Sequence, residues 1–166
     1  MQLLQDRKPY MIITVSVLLC NYLLDQATKL IAFTLLRGKG TIKVLGDYFI
    51  LIYTENEGAF LSLGANWFMP VKYTILLLLP IVICFIVVYY LMMYERQLRK
   101  IILMSTIVGG GVGNLVDRLF NDFKVIDFLN FGIGPVRTGV LNVADLSVTF
   151  GILILFIAEL IPKKKR

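Results

Sequence analysis

Four aspartates in this chain stand where an acid is hard to keep. Asp25, Asp117 and Asp145 lie inside or at the ends of long apolar runs, and Asp127 is held between Ile126 and Phe128. Asn114, Arg118 and Asn142 occupy similar settings. An ionised side chain at bilayer depth is disfavoured by about 3 kcal/mol on insertion scales unless it is paired or faces water. The chain has no His, and Cys20 and Cys84 both sit in apolar runs as core or lipid-facing residues. Zinc sites and Cys–His nucleophiles are left without their usual ligands and bases, so neither a metal nor another cofactor is expected. The acid–base chemistry that remains belongs to carboxylates. Two carboxyl groups close together share one proton, because like charges a few ångströms apart do not both ionise readily. The charged member can activate water, and the protonated member can polarise a peptide carbonyl.

Spacing says which of these groups can act together. Asp25 and Lys29 are four residues apart and share a helix face. They fit either a self-neutralising ion pair or a pair that holds other groups at a site. Asn114, Asp117 and Arg118 stand at i, i+3 and i+4, making one strongly polar face. Gly109 and Gly113, just before them, form a small-xxx-small step that lets helices approach closely. Asn142 and Asp145 share a face at the start of another apolar run. Asn142 fits a helix cap, a role that accounts less well for Asp145 inside the first turn. The residues alone leave Asp117 and Asp127 as alternative partners for Asp145.

Four membrane spans must position these groups. Hydrophobic residues make up 58% of the 166 and charged residues 17%, too little charge to cover a soluble domain of this size. Runs of the length a bilayer demands fall at about 10–36, 71–94, 101–119 and 140–161. They predict an all-α membrane protein, one domain over 1–166, with outer loops at about 37–70 and 120–139. Arg7 and Lys8, then Arg96, Arg99 and Lys100, then Lys163, Lys164, Lys165 and Arg166 mark one side of the membrane. By the positive-inside rule that side is the cytoplasm, with both termini in it. The first apolar run continues past Asp25 and Lys29 without a small-x-small cleavage site, so it reads as a span and not a cleaved leader. The net charge of +6 gathers at span ends and not along a stripe, which argues against nucleic-acid binding. In the first outer loop, residues 47–54 are aromatic and β-branched and favour a small extracytoplasmic sheet. All the polar groups named above then fall at one level, the outer membrane surface. A proton-coupled transporter would instead distribute them through the membrane thickness, and a scaffold would leave them without a role.

The motifs together resemble the lipoprotein signal peptidases, or signal peptidase II. The residues that carry the resemblance are Asp25-Gln26-Ala27-Thr28-Lys29, Asn56-Glu57-Gly58-Ala59-Phe60, the run from Gly109 to Arg118, Val125-Ile126-Asp127-Phe128 and Asn142-Val143-Ala144-Asp145. Leu141 and Gly111 depart from the family's usual aromatic and Ala, both at packing positions. The resemblance implies a bacterial cell-membrane aspartic endopeptidase with Asp127 and Asp145 as catalytic residues. It implies supporting roles for Asp25, Asn56, Asn114, Arg118 and Asn142; Lys29 and Gly58 join these from their places beside Asp25 and Asn56. The implied substrates are prolipoproteins carrying a diacylglyceryl group on cysteine, cut just before that cysteine. Membrane lipids are the other expected partners, and a monomer is expected.

Overall fold

The computed structural model describes residues 2–161. Helix α1 (Gln2–Leu36) begins well before the expected first span and runs for 35 residues, about 50 Å at 1.5 Å per residue, longer than a hydrocarbon core of about 30 Å. Helices α2 (Met69–Met93), α3 (Leu98–Phe120) and α4 (Val143–Leu160) follow, and all four are long and apolar enough to cross a membrane. Within α2, Tyr73–Leu78 forms a widened π-type stretch just before Pro80. The proline ring has no N–H for the carbonyl one turn back, and it crowds that carbonyl outward.

Helix α3 is the centre of the bundle, and its glycines make it so. A Cβ at Gly109 would lie 2.7 Å from the Leu18 carbonyl oxygen of α1, and a Cβ at Gly110 would lie 2.6 Å from the Ala144 carbonyl oxygen of α4. Gly113 gives the Asp25 side chain its space. The expected close step at Gly109 and Gly113 thus packs α1 against α3, while Gly110 admits α4. Gly111 faces outward from that contact toward the Cys84 sulfur. Cys20 is exposed on α1 and Cys84 half-buried on α2, both as free thiols.

At one end of the bundle sits a four-stranded antiparallel sheet in the order β1 (Ile42–Leu45), β2 (Phe49–Asn56), β3 (Val125–Ile133), β4 (Val136–Arg137). The sequence predicts extended structure at 47–54; the strand reaches Asn56, and β3 from the second connection pairs with it. That pairing is long-range, and periodicity within either segment does not reveal it. The sheet rests on the end of α1 through Ala32, Leu36, Phe128, Leu129 and Leu141. Leu141 N–H donates to the Leu129 carbonyl, and the Leu141 carbonyl accepts from the Phe128 and Leu129 N–H groups. This leucine therefore bolts the start of α4 to β3, one residue before Asn142 and next to Asp127.

Candidate active site

The site is built around the first turn of α4. Asn142 is the N-cap: its Oδ1 accepts from the Asp145 N–H at 2.8 Å, and Asp145 Oδ2 accepts from the Asn142 N–H at 3.1 Å. This reciprocal capping box satisfies two otherwise orphaned amides. Asp145 is thus part of the cap, contrary to the expectation that capping explains it poorly, because a residue three positions in can reach back to the cap amide. A third amide of the same turn, Ala144 N–H, donates to Asp25 Oδ1 of α1 at 2.8 Å. An anion at a helix N-terminus is favoured by the helix dipole, so Asp25 locks α4 to α1.

Three asparagines bind the carboxylates together. Asn142 Nδ2 donates to Asp127 Oδ1 at 2.6 Å, and Asn56 Nδ2 at the end of β2 donates to Asp127 Oδ2 at 3.0 Å. Asn114 Nδ2 donates to Asp145 Oδ1 at 2.9 Å, while Asn114 Oδ1 accepts from Lys29 Nζ and Asn142 Nδ2. These bonds place Asp127 and Asp145 on one network, yet neither carboxylate has a cation within ion-pair distance among the described residues. Burial above all, then the neighbouring Asp145 charge, pushes the Asp127 carboxyl up to about 7, against the pull of its two amide donors.

The other two acids share one lysine. Lys29, buried at 2% exposure, reaches Asp25 Oδ2 at 2.7 Å and Asp117 Oδ2 at 2.9 Å. Asp117 also accepts from Gln26 Nε2 at 3.0 Å and from the Ile126 N–H at 3.3 Å. Removing either partner from such a buried pair leaves an uncompensated charge, which is strongly destabilising. Asp25 and Lys29 therefore form both the ion pair and the brace that the sequence left open as alternatives.

Arg118 joins helix and loop: its Nη2 donates to the Gly58 carbonyl at 2.7 Å and its Nη1 to the Asn114 carbonyl at 3.3 Å. Its buried Nε has no partner among the described residues. Gly58 lies where any Cβ would overlap the backbone of Ser62 and Leu63, at 2.6 Å. Gly58 is thus required by close approach, and the left-handed glycine of this loop is Gly64, at φ 79°. Asn56, Asn114, Arg118, Asp127, Asp145 and Thr149 line a cleft of about 190 Å³ between α3, α4 and the sheet. All nine expected site residues thus converge. Gln26 and Lys72 were not singled out by the sequence. Gln26 lies inside a quoted motif, three residues from Lys29, and that spacing was a usable signal. Lys72 stands at the start of the second apolar run, where nothing in the local sequence distinguishes it.

Four apolar helices capped by a small sheet are an architecture already found among solved structures. Two solved bacterial membrane enzyme structures share the fold. One matches with a TM-score of 0.77 at 22% identity over 92% of this chain and 94% of that one. The other matches with a TM-score of 0.74 at 23% identity over 90% and 94%. Within that class, the chain belongs to the signal peptidase (SPase) II family, whose model matches residues 17–161; it is a peptidase. A protein of Francisella tularensis subsp. novicida named lipoprotein signal peptidase is 36% identical over 99% of both chains. One of the same name from Borrelia duttonii is 33% identical over 85% of both.

Proposed function

We propose that Asp127 and Asp145 are the catalytic pair of an aspartic endopeptidase that frees prolipoproteins of their signal peptides, cutting before a diacylglyceryl-modified cysteine. Membership of the family and the lipoprotein signal peptidases among its relatives support removal of signal peptides from prolipoproteins. One observation carries the choice of residues. Of the four aspartates in this network, Asp25 and Asp117 are paired with Lys29, whereas Asp127 and Asp145 are held only by amide donors and open to one cleft. A group held near neutrality by burial suits acid–base work at physiological pH. With one proton shared between the pair, the ionised carboxylate takes a proton from water as the water attacks the scissile carbonyl. The protonated carboxyl donates to the carbonyl oxygen; as the diol collapses and the C–N bond breaks, that proton returns to its carboxylate and the proton taken from water passes to the leaving amine. No covalent intermediate on the protein is needed. The supporting network of Asn56, Asn114, Arg118 and Asn142 keeps the carboxyl oxygens aimed into the cleft.

The distribution of basic residues supports cytoplasmic termini, with the sheet and cleft on the outer face of a bacterial cell membrane. A monomer is consistent with all nine expected site residues lying on one chain. The cleft is small, and substrate affinity comes from acyl chains against the bundle, at about 0.8 kcal/mol per buried CH₂. The test is cleavage by purified protein of a prolipoprotein peptide with and without its diacylglyceryl group. The lipidated form is cut before the cysteine and the unlipidated form hardly at all. Asp127→Asn and Asp145→Asn each lower turnover by about 10³-fold or more, as expected when an acid–base group is lost. Near-parental turnover by either variant removes that residue from the pair.

A further inference from the structure

Lys72 is a buried cation that the catalytic scheme leaves unused. It lies in the first turn of α2 with 2% of its surface exposed. A positive charge is disfavoured at a helix N-terminus, and burial raises the cost further, so its contacts must compensate. Its Nζ donates to the Ala65 carbonyl at 3.0 Å and pairs with Glu57 Oε2 at 3.4 Å. It also lies over the Phe123 ring, 5.2 Å from the centroid, an attraction that strengthens when the pair is desolvated. Phe123 is delivered there by a backbone turn in which both Asp122 and Phe123 are left-handed, at φ 48° and 65°. Non-glycine residues hold that conformation only when their surroundings enforce it.

Glu57 and Ala65 bracket the loop that meets the site. Asn56 donates to Asp127, the Gly58 N–H donates to Asn56 Oδ1 at 2.9 Å, and the Gly58 carbonyl accepts from Arg118. We infer that Lys72 is a positioning residue for the reaction: its ammonium grips the loop at Glu57 and at Ala65, and so holds Asn56 and Gly58 against Asp127 and Arg118. The inference rests on the proposed Asp127–Asp145 pair.

The experiment compares the purified parent with Lys72→Met, Lys72→Arg, Glu57→Gln, Asn56→Ala and Asp127→Asn. It measures cleavage of the diacylglyceryl-modified peptide across pH, and the thermal midpoint in detergent. Lys72→Met keeps the aliphatic stem and loses the grip; kcat/KM falls 10-fold or more while the thermal midpoint stays near the parent's. The Asn56 hydrogen bond favours the charged form of Asp127, so loosening it moves the alkaline limb of kcat/KM to higher pH. Asp145 on α4, Lys29 on α1 and Arg118 on α3 also face Asp127, and they are unchanged in Lys72→Met. Asn56→Ala moves the limb the same way, and adding Lys72→Met to it moves the limb no further. Lys72→Arg restores most of the rate. Parental turnover by Lys72→Met, or a loss of activity with the limb unmoved, overturns the inference. If Lys72→Met does not fold, Glu57→Gln decides: a limb that rises supports the grip, and an unmoved limb overturns it. An active Asp127→Asn sinks the catalytic pair itself; an inactive one beside an unaffected Lys72→Met sinks only the grip.

Discussion

At the scale of single residues, the site separates four aspartates by what their oxygens touch. Asp127 shows the consequence most directly, because its carboxyl is pushed from the ordinary 3.8 to about 7 by burial and by Asp145. A carboxyl raised in the folded protein binds its proton more tightly there than in the unfolded chain. Stability is therefore greatest below about pH 4 with respect to this group, and is lost as pH rises toward about 7. The difference converts to a ceiling of about 4 kcal/mol. Asp127→Asn, which keeps the shape and loses the charge, should unfold at a higher temperature than the parent at pH 8. The gap should close as pH falls toward 4, and thermal melts in detergent at several pH values measure it. An Asp127→Asn protein less stable than the parent at pH 8 contradicts a buried, unpaired acid. The same proton governs rate: kcat/KM should fall above about pH 7 as the pair loses its shared proton.

At the scale of elements, two close approaches hold the loop and the helices in place. Gly58 has no room for a Cβ against the Ser62–Leu63 backbone. Gly58→Ala should therefore cut turnover about 10-fold or more, and Gly58→Val further. The thermal midpoint should move by only a few degrees, because the loop lies outside the bundle. Parental turnover by both variants would reduce the loop to a passive cap. Gly113 meets the Asp25 carboxylate across the α1–α3 contact. An added methyl there forces Asp25 from Lys29 or from the Ala144 amide, so Gly113→Ala should destabilise by about 1–3 kcal/mol and slow cleavage as well. Paired melts and rates distinguish this substitution, which damages both, from Gly58→Ala, which damages chiefly the rate.

At the scale of the whole molecule, the chain topology brings the chemistry to one end. The C-terminal ends of α1 and α3, the N-terminal ends of α2 and α4, and the sheet all meet there. Charged residues gather at the two ends of the bundle; the buried groups between them, among them Thr14 and Ser105, are neutral. That distribution favours a surface-facing site over a transport path. The basic tail at 163–166 lies outside the described residues, so its side of the membrane needs a separate measurement. Reporter fusions after Arg99 and after Lys165 should read cytoplasmic, and a fusion within 37–43 should read external. An external C-terminus would invert the orientation and put the sheet on the inner face.

Much of this was legible without coordinates, because the bilayer imposes a strong rule. Span length, the placement of basic residues and the rarity of buried charge are all written into local sequence. They yield four helices, the small-residue step at Gly109 and Gly113, and a set of polar residues that must meet. Recurrent motifs then attach the set to a family and name Asp127 and Asp145 within it. Helical spacing shows which residues share a face but not what that face meets across 85 or more residues of chain, as in the Lys29–Asn114 bond. Only the tertiary structure decided that Asp117 belongs to Lys29, that Asp145 both caps α4 and faces the cleft, that a second strand carries Asp127 to Asn56, and that Gly58 is required by crowding. Only it gave Lys72 neighbours that make a span-end lysine part of the site. Those assignments depend on contacts between distant segments, and such contacts are set by packing of the whole bundle against the sheet and not by any local pattern.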